Sequence, residues 1–293
     1  MTKSISDAQA QTAQAFGYQW NRTEAFDSPE LREGHRAWLR ERFGDVQGAP
    51  WLRGKVLDVG CGAGLSAIEL FGDALRRVEY VGVDLSDAHL VAERRFRERG
   101  LPGRHMRADM MELPFPDGSF DVILAEGVLH HTDSTERALF AVSRKLRPGG
   151  RILFYVYRRK GPIREFTDDF IREKLQSIAP EKAWKMLEPL TRLGIALGEL
   201  NAEINVPEPI DLLQIPAGKI NVQMLFYWHV AKMFYRADLT FDEMNHMNFH
   251  WFAPRNSHRQ SIEEVREWCK RAGLSIEREV VEDAGISVIA VAT

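Results

Sequence analysis

Short, continuous apolar runs alternate with longer amphipathic stretches through the first half of the chain. KVLDVG (55–60), YVGVDLS (80–86), FDVILAEG (120–127) and RILFYVY (151–157) are the clearest runs, and GRHMRADMMELP holds a weaker one. Strands buried on both faces of a parallel sheet read this way, because neither face meets water and no alternation is imposed. Between the runs, AGLSAIELFGDAL, SDAHLVAERRFRERG and TERALFAVSRKLRPGG have helical character, the last two closing on Gly100 and on a Pro-Gly-Gly turn. Strands and helices alternating in this way require right-handed crossovers and predict a doubly wound, mostly parallel α/β sheet.

The rhythm breaks on both sides of this block. Residues 1–50 read as polar and helical, with Ser28 capping and Pro29 opening the helix SPELREGHRAWLRERFG. From about 161 to 258 the pattern is helical and irregular and too long for a loop, which predicts a helical insertion after the fifth strand. SIEEVREWCKRAG (261–273) resumes the core with Ser261 and Glu264 spaced as a capping box. LSIEREVVEDAGISVIAVAT closes the chain as a hairpin around an Asp-Ala-Gly turn.

Composition narrows the class of protein. Of the 293 residues 44% are hydrophobic and 28% charged, and the formal net charge is -3. No global basic field is therefore available to hold a nucleic-acid backbone. Runs such as Arg94-Arg95-Phe96-Arg97 are flanked by acids and read as solvated helix faces. The two cysteines, Cys61 and Cys269, are too far apart to announce a disulfide framework or a zinc cluster. MTKSISDAQAQTAQAF lacks an apolar signal core, and no run reaches the ~20 apolar residues of a membrane span. A soluble, cytoplasmic protein is expected.

VLDVGCGAGLSAIEL carries the chemistry. It places Gly60, Gly62 and Gly64 in the turn between the first strand and the first helix, where the backbone must approach a ligand closely. Some twenty residues on, Asp84 ends the second strand, where an acid accepts both hydroxyls of a ribose. Loop, acid and strand context together point to a nucleoside. The spacing is G-x-G-x-G, and Leu65 stands where the last glycine of the dinucleotide fingerprint falls.

VLDVGCGAG, Asp84, RADMMELPFPDGSFDVILAEGVLHH and LRPGGRILFYVY together resemble the class I S-adenosylmethionine-dependent methyltransferases, in the branch that contains quinone-biosynthesis methyltransferases. The likeness covers roughly 52–158 and, more loosely, 261–293. It implies a seven-stranded Rossmann-like sheet with an antiparallel C-terminal hairpin, and S-adenosyl-L-methionine as cofactor. It implies too that Asp58 and the loop of Gly60, Cys61, Gly62 and Gly64 hold the methionine part, and Asp84 the ribose. Leu85 would pack on the adenine, Asp109 accept from its amino group and Met110 cover the ring. Ala125 and Glu126 would lie beside the sulfonium. The expected parts are an N-terminal helical cap (1–50), the cofactor-binding core (51–160), a helical insertion serving as substrate lid (161–258) and the completion of the core (259–293).

Weaker signals surround this core. His130 and His131 follow the fourth strand at the sheet edge where ligands bind. Neighbours in a helical turn diverge by about 100°, so only one is expected to face the pocket. The resemblance favours His131, either as a base or as a shelf under the cofactor. AFGYQWNR (15–22) reads either as a helix docking by its aromatics or as a cap, with Tyr18 and Trp20 over the cofactor and Arg22 on its carboxylate. In HWFAPRNSHR, an exposed Trp251-Phe252 pair and Arg255 are expected at the pocket rim, with Tyr157 beside them as a further substrate residue. His246 and His250 have i, i+4 spacing, but with no carboxylate at ligand spacing no metal is expected.

The function expected is methyl transfer to a small-molecule acceptor by in-line displacement. Nucleic acid and membrane are not expected as partners, and a homodimer stays open. The readings held against it are a nicotinamide-dependent oxidoreductase and a non-catalytic S-adenosylmethionine-binding protein.

Overall fold

A computed structural model of the protein describes residues 5–22 and 28–293. Parts of the expected N-terminal cap, at 1–4 and 23–27, lie outside the described residues. The chain falls into two compact units, the first made of Met1–Asn21, Arg32–Arg158 and Asn256–Thr293, the second of Arg22–Leu31 and Arg159–Arg255.

In chain order the first unit opens with α1 (Asp7–Asn21), and α2 (Pro29–Phe43) enters it from Arg32 onward. Ser28 caps α2 by accepting from the Leu31 amide at 3.3 Å, as the sequence predicts. The alternating block follows as β1 (Gly54–Val59), α3 (Leu65–Phe71), β2 (Val78–Asp84), α4 (Ala88–Glu98), β3 (Arg104–Arg107), β4 (Phe120–Glu126), α5 (Thr135–Ser143) and β5 (Leu146–Tyr157). The second unit contributes α6 (Pro162–Leu175), α7 (Pro180–Glu199), β6 (Glu203–Val206), β7 (Gly218–Asn221), α8 (Val222–His229) and α9 (Phe241–Phe252). The first unit then closes with α10 (Ile262–Arg271), β8 (Leu274–Val281) and β9 (Gly285–Ala292).

The large sheet has the order β3-β2-β1-β4-β5-β9-β8. It is parallel as far as β5, where β9 joins antiparallel and β8 pairs antiparallel with β9. Between β1 and β4 the strand order reverses, and in such sheets the crevice outside the carboxyl ends at that point takes the ligand. Leu57, Ile123, Ile152, Phe154 and Val288 are fully or almost fully buried at the centre, each contributing ~1.5–3 kcal/mol of transfer free energy. That core fixes the register Val56–Val122 and Asp58–Leu124, so Asp58 and Glu126 stand at adjacent strand ends by construction.

The local rules of the sequence explain most of the element ends. Ser261 and Glu264 form the predicted capping box at α10, worth ~1 kcal/mol. β9 is buried from Gly285 to Ala290, whereas β8 at the sheet edge carries Glu277, Arg278 and Glu279 in its middle, which discourages pairing with another chain. Two details depart from the reading of the sequence. α5 stops at Ser143 and the Leu-Arg-Pro-Gly-Gly segment belongs to β5. Pro148 disfavours the helical region for Arg147 and draws it into extended backbone. The insertion is not wholly helical, since β6 and β7 form an antiparallel pair. Such brief strands leave too few alternations for a pattern to register.

Candidate functional site

The glycine loop sits at the carboxyl end of β1. Gly60, Gly62 and Gly64 have φ of 67°, 50° and 79°, the left-handed region that side chains disfavour. Space is also short. A Cβ on Gly60 would lie 2.1 Å from Val128 Cγ2, and one on Gly62 3.2 Å from the indole of Trp20. The loop is stitched to β2 twice: the Cys61 amide donates to the Val83 carbonyl at 3.0 Å, and the Gly62 amide to Asp84 Oδ2 at 2.9 Å. Asp84 Oδ1 accepts from the amide and hydroxyl of Ser86 at 2.8 and 2.7 Å. A carboxylate offers about four acceptor positions, so Asp84 keeps one open on Oδ2 and would gain a second by releasing the Ser86 hydroxyl. The sequence suggested an acid free for both hydroxyls; the loop already uses part of it.

Two further acids stand at neighbouring strand ends. Asp58 is buried and accepts from the Tyr80 hydroxyl at 2.7 Å. Burial pushes its carboxyl up to about 7, with the Tyr80 hydrogen bond pulling the other way. Burial also lifts the Cys61 thiol well above its ordinary value, so it is no nucleophile. Glu126 accepts from Ser66 Oγ at 2.8 Å, and Ser66 Oγ meets His35 Nε2 at 3.2 Å. Because the Ser66 proton goes to Glu126, Nε2 of His35 is the donor. Burial lowers the His35 pKa while Glu126 and Glu69 oppose the shift. Sequence reading missed His35 and Ser66. Ser66 lay in plain view one residue after Leu65, but the polar stripe of α2 gave His35 no distinguishing mark.

The other residues expected at the cofactor are placed less specifically. Leu85 is half-buried, with its carbonyl taken by Arg107 Nε at 2.9 Å. Asp109 caps the single turn Met110–Glu112 by accepting from the Met111 amide at 2.8 Å, and Met110 packs partly buried against the core. Ala125 is fully buried in β4.

His130 and His131 occupy a single 3-10 turn, Leu129–His131, and both are buried. The expectation that they diverge is corrected. Their ring centroids are 4.2 Å apart, and both meet Tyr157, at 3.9 and 5.4 Å. In one isolated turn the side-chain torsions, not the helical step, set where the rings lie. His131 Nδ1 contacts the Asn256 carbonyl at 2.7 Å, so Nδ1 carries the proton. Its ring also meets the edge of Phe16 at 4.7 Å.

The same turn holds α1 in place. The Asn256 amide donates to Thr12 Oγ1 at 2.9 Å, and its Nδ2 to Asp133 Oδ1 at 2.9 Å. Ser6 Oγ donates to Asp133 at 2.7 Å and Gln9 Nε2 to the His131 carbonyl at 3.3 Å. This clasp brings the half-buried Tyr18 and Trp20 onto the first unit, with Trp20 against Gly62.

The remaining residues fall in the second unit. Arg22 stacks over the ring of Trp184 at 4.4 Å. Trp251 and Phe252, expected to be exposed, are buried. The last turn of α9 faces inward because the Trp251 Nε1 proton is taken by Asp168 at 2.7 Å. Arg255 is exposed. His246 is buried edge-on to Trp184, and no cluster of three metal-ligand side chains occurs among the described residues.

Sheet order and terminal antiparallel hairpin are those of a Rossmann-like methyltransferase fold. Residues 57–154 match the family model described as "Methyltransferase domain", so the chain carries such a domain. A ubiquinone/menaquinone biosynthesis C-methyltransferase of Idiomarina loihiensis is 38% identical over 133 residues, covering 43% of this chain and 50% of that protein. A phthiotriol/phenolphthiotriol dimycocerosates methyltransferase of Mycobacterium leprae is 35% identical over 130 residues, 44% of this chain and 47% of that one. The chain thus spans about half the length of these curated relatives. The solved CurJ carbon methyltransferase superposes with a TM-score of 0.51 at 13% identity, covering 98% of this chain and 61% of its own, a likeness of fold alone. No helix among the described residues is long and apolar enough to cross a membrane.

Proposed function

We propose that the protein is a cytoplasmic methyltransferase that binds S-adenosyl-L-methionine in the first unit and methylates a small-molecule acceptor by in-line displacement. The observation that carries this reading is the Gly62–Asp84 hydrogen bond, which fixes a positive-φ glycine loop against a strand-end acid inside a methyltransferase domain. The bound cofactor supplies an electrophilic methyl group on a sulfonium. Asp84 takes the ribose hydroxyls, and Asp58 with the Gly60–Gly64 loop holds the amino-acid end. Leu85, Asp109 and Met110 receive the adenine.

Glu126, fixed by Ser66, faces the positive charge with Ala125 beside it. Glu126 would therefore contribute to holding the cofactor rather than to the transfer itself. Trp20 and Tyr18, held down by the Asn256 and Asp133 clasp, shield the site from water. His131 acts as a shelf, since it is buried with its ring packed between Phe16 and Tyr157, and the Nδ1–H bond to the Asn256 carbonyl holds that ring in place. Incubating the protein with methyl-labelled cofactor and a whole-cell extract of its source tests the reading. Label in a low-molecular-weight product supports it. Label only in macromolecules, or none transferred, contradicts it.

A further inference from the structure

The second unit gathers four cationic side chains around one buried indole. Trp251 is 4% exposed, and its ring lies within reach of four cations. The Arg172 and Arg164 guanidinium carbons are 4.8 and 5.4 Å from its centroid, and Lys232 Nζ and Lys160 Nζ are at 5.0 and 5.8 Å. Facing them is the buried Asp168, whose Oδ2 accepts from Arg164 Nε at 2.6 Å and from Trp251 Nε1 at 2.7 Å. Its Oδ1 takes the backbone amide of Lys232 at 3.4 Å. Asp169 adds a second carboxylate on Arg172, its Oδ1 3.4 Å from Nη1.

The two arginines have polar partners besides. Arg164 donates to the Tyr227 carbonyl, and Arg172 closes on the Trp251 carbonyl at 3.1 and 2.9 Å. Lys232 differs. It is 6% exposed, yet its Nζ has neither a hydrogen-bond acceptor nor an ion-pair partner among the described residues. An ammonium on a side chain so largely buried gives up much of its hydration without a protein acceptor to replace it. Burial lowers its pKa to about 7, Arg164, Lys160 and Arg172 add to the lowering, and Asp168 opposes it. An anion brought by a ligand would supply the acceptor that Lys232 Nζ lacks.

We propose that Lys232, backed by Arg164 and Arg172 and walled by Trp251, forms a binding site in the second unit for the oxyanion of a small molecule, a carboxylate or a phosphate. This goes beyond the methyl-transfer reading, because every residue of the site belongs to the insertion and none to the methyltransferase domain. Asp168 does not replace the ligand, since its oxygens are already engaged by Arg164, Trp251 and the Lys232 amide.

The test uses the full chain without cofactor, titrated with inorganic phosphate and with benzoate at matched ionic strength, read by calorimetry and thermal unfolding. At least one probe is expected to bind saturably and raise the unfolding midpoint, and which one does so separates the phosphate source from the carboxylate source. Lys232→Met, similar in length but uncharged, is expected to weaken that binding about ten-fold or more. If the variant does not fold, the wild-type affinity for the binding probe, corrected for the probe's own titration, must fall between about pH 6 and about pH 9 as Nζ loses its proton. No saturable binding of either probe, equal binding by Lys232→Met, or an affinity flat across that range overturns the proposal.

Discussion

The Gly62 amide donates to Asp84 Oδ2 across 2.9 Å, so the glycine loop and the end of β2 form one preassembled piece. Gly62 is also the position where a Cβ would press on Trp20. Gly62→Ala is therefore expected to cost ~1–2 kcal/mol from the left-handed backbone alone, and to weaken cofactor binding besides. Gly149→Ala is the control: its φ is 75°, but nothing lies within 4 Å of the added carbon. Denaturant unfolding should report a similar loss for both variants, and calorimetry with S-adenosylhomocysteine a weakened affinity for Gly62→Ala alone. Unchanged affinity in both would detach the loop from the ligand.

Asp58 supplies a pH signature. Its carboxyl titrates near 3.8 in the unfolded chain and near about 7 when folded, chiefly through burial. Between those values the folded protein holds more protons than the unfolded one, so stability falls as pH rises from about 4 to about 7 and levels off above. Asp58→Asn removes that component. Urea midpoints at about pH 5 and about pH 7.5 should converge in the variant relative to wild type. An equal separation in both proteins would place the slope elsewhere.

His131→Ala separates a shelf from a base. Losing a buried ring and its hydrogen bond to Asn256 should destabilise the first unit by ~2–4 kcal/mol and loosen the clasp on α1. Cofactor affinity should drop, while turnover at saturating cofactor and the pH profile of kcat stay close to wild type. A collapse of kcat with loss of one limb of that profile would make His131 the base.

How much of this was legible beforehand follows from the range of each interaction. The strands, the capping box at Ser261 and the glycine loop arise from local pattern and backbone geometry, which a sequence displays directly. β5 was misjudged at its start because Pro148 decides the backbone of its neighbour, a local effect that the Pro-Gly-Gly turn signal concealed. The His35–Ser66–Glu126 chain joins three elements remote in sequence, and nothing in α2 marks His35. Trp251 illustrates the same limit: its buried indole is held by Asp168, far earlier in the chain. The paired histidines were located correctly at the end of β4, but their convergence on Tyr157 depended on side-chain torsions that no spacing rule contains.

The central claim is that Asp84 and the loop it anchors bind the nucleoside of S-adenosylmethionine. Calorimetric titration of S-adenosylhomocysteine into wild type and Asp84→Ala tests it most directly, with circular dichroism to verify that the variant is folded. Saturable binding by the wild type and a loss of roughly 100-fold or more in the variant are expected from removing charged hydrogen bonds to two hydroxyls. Equal affinity in a folded variant, or no binding by the wild type, would contradict the account.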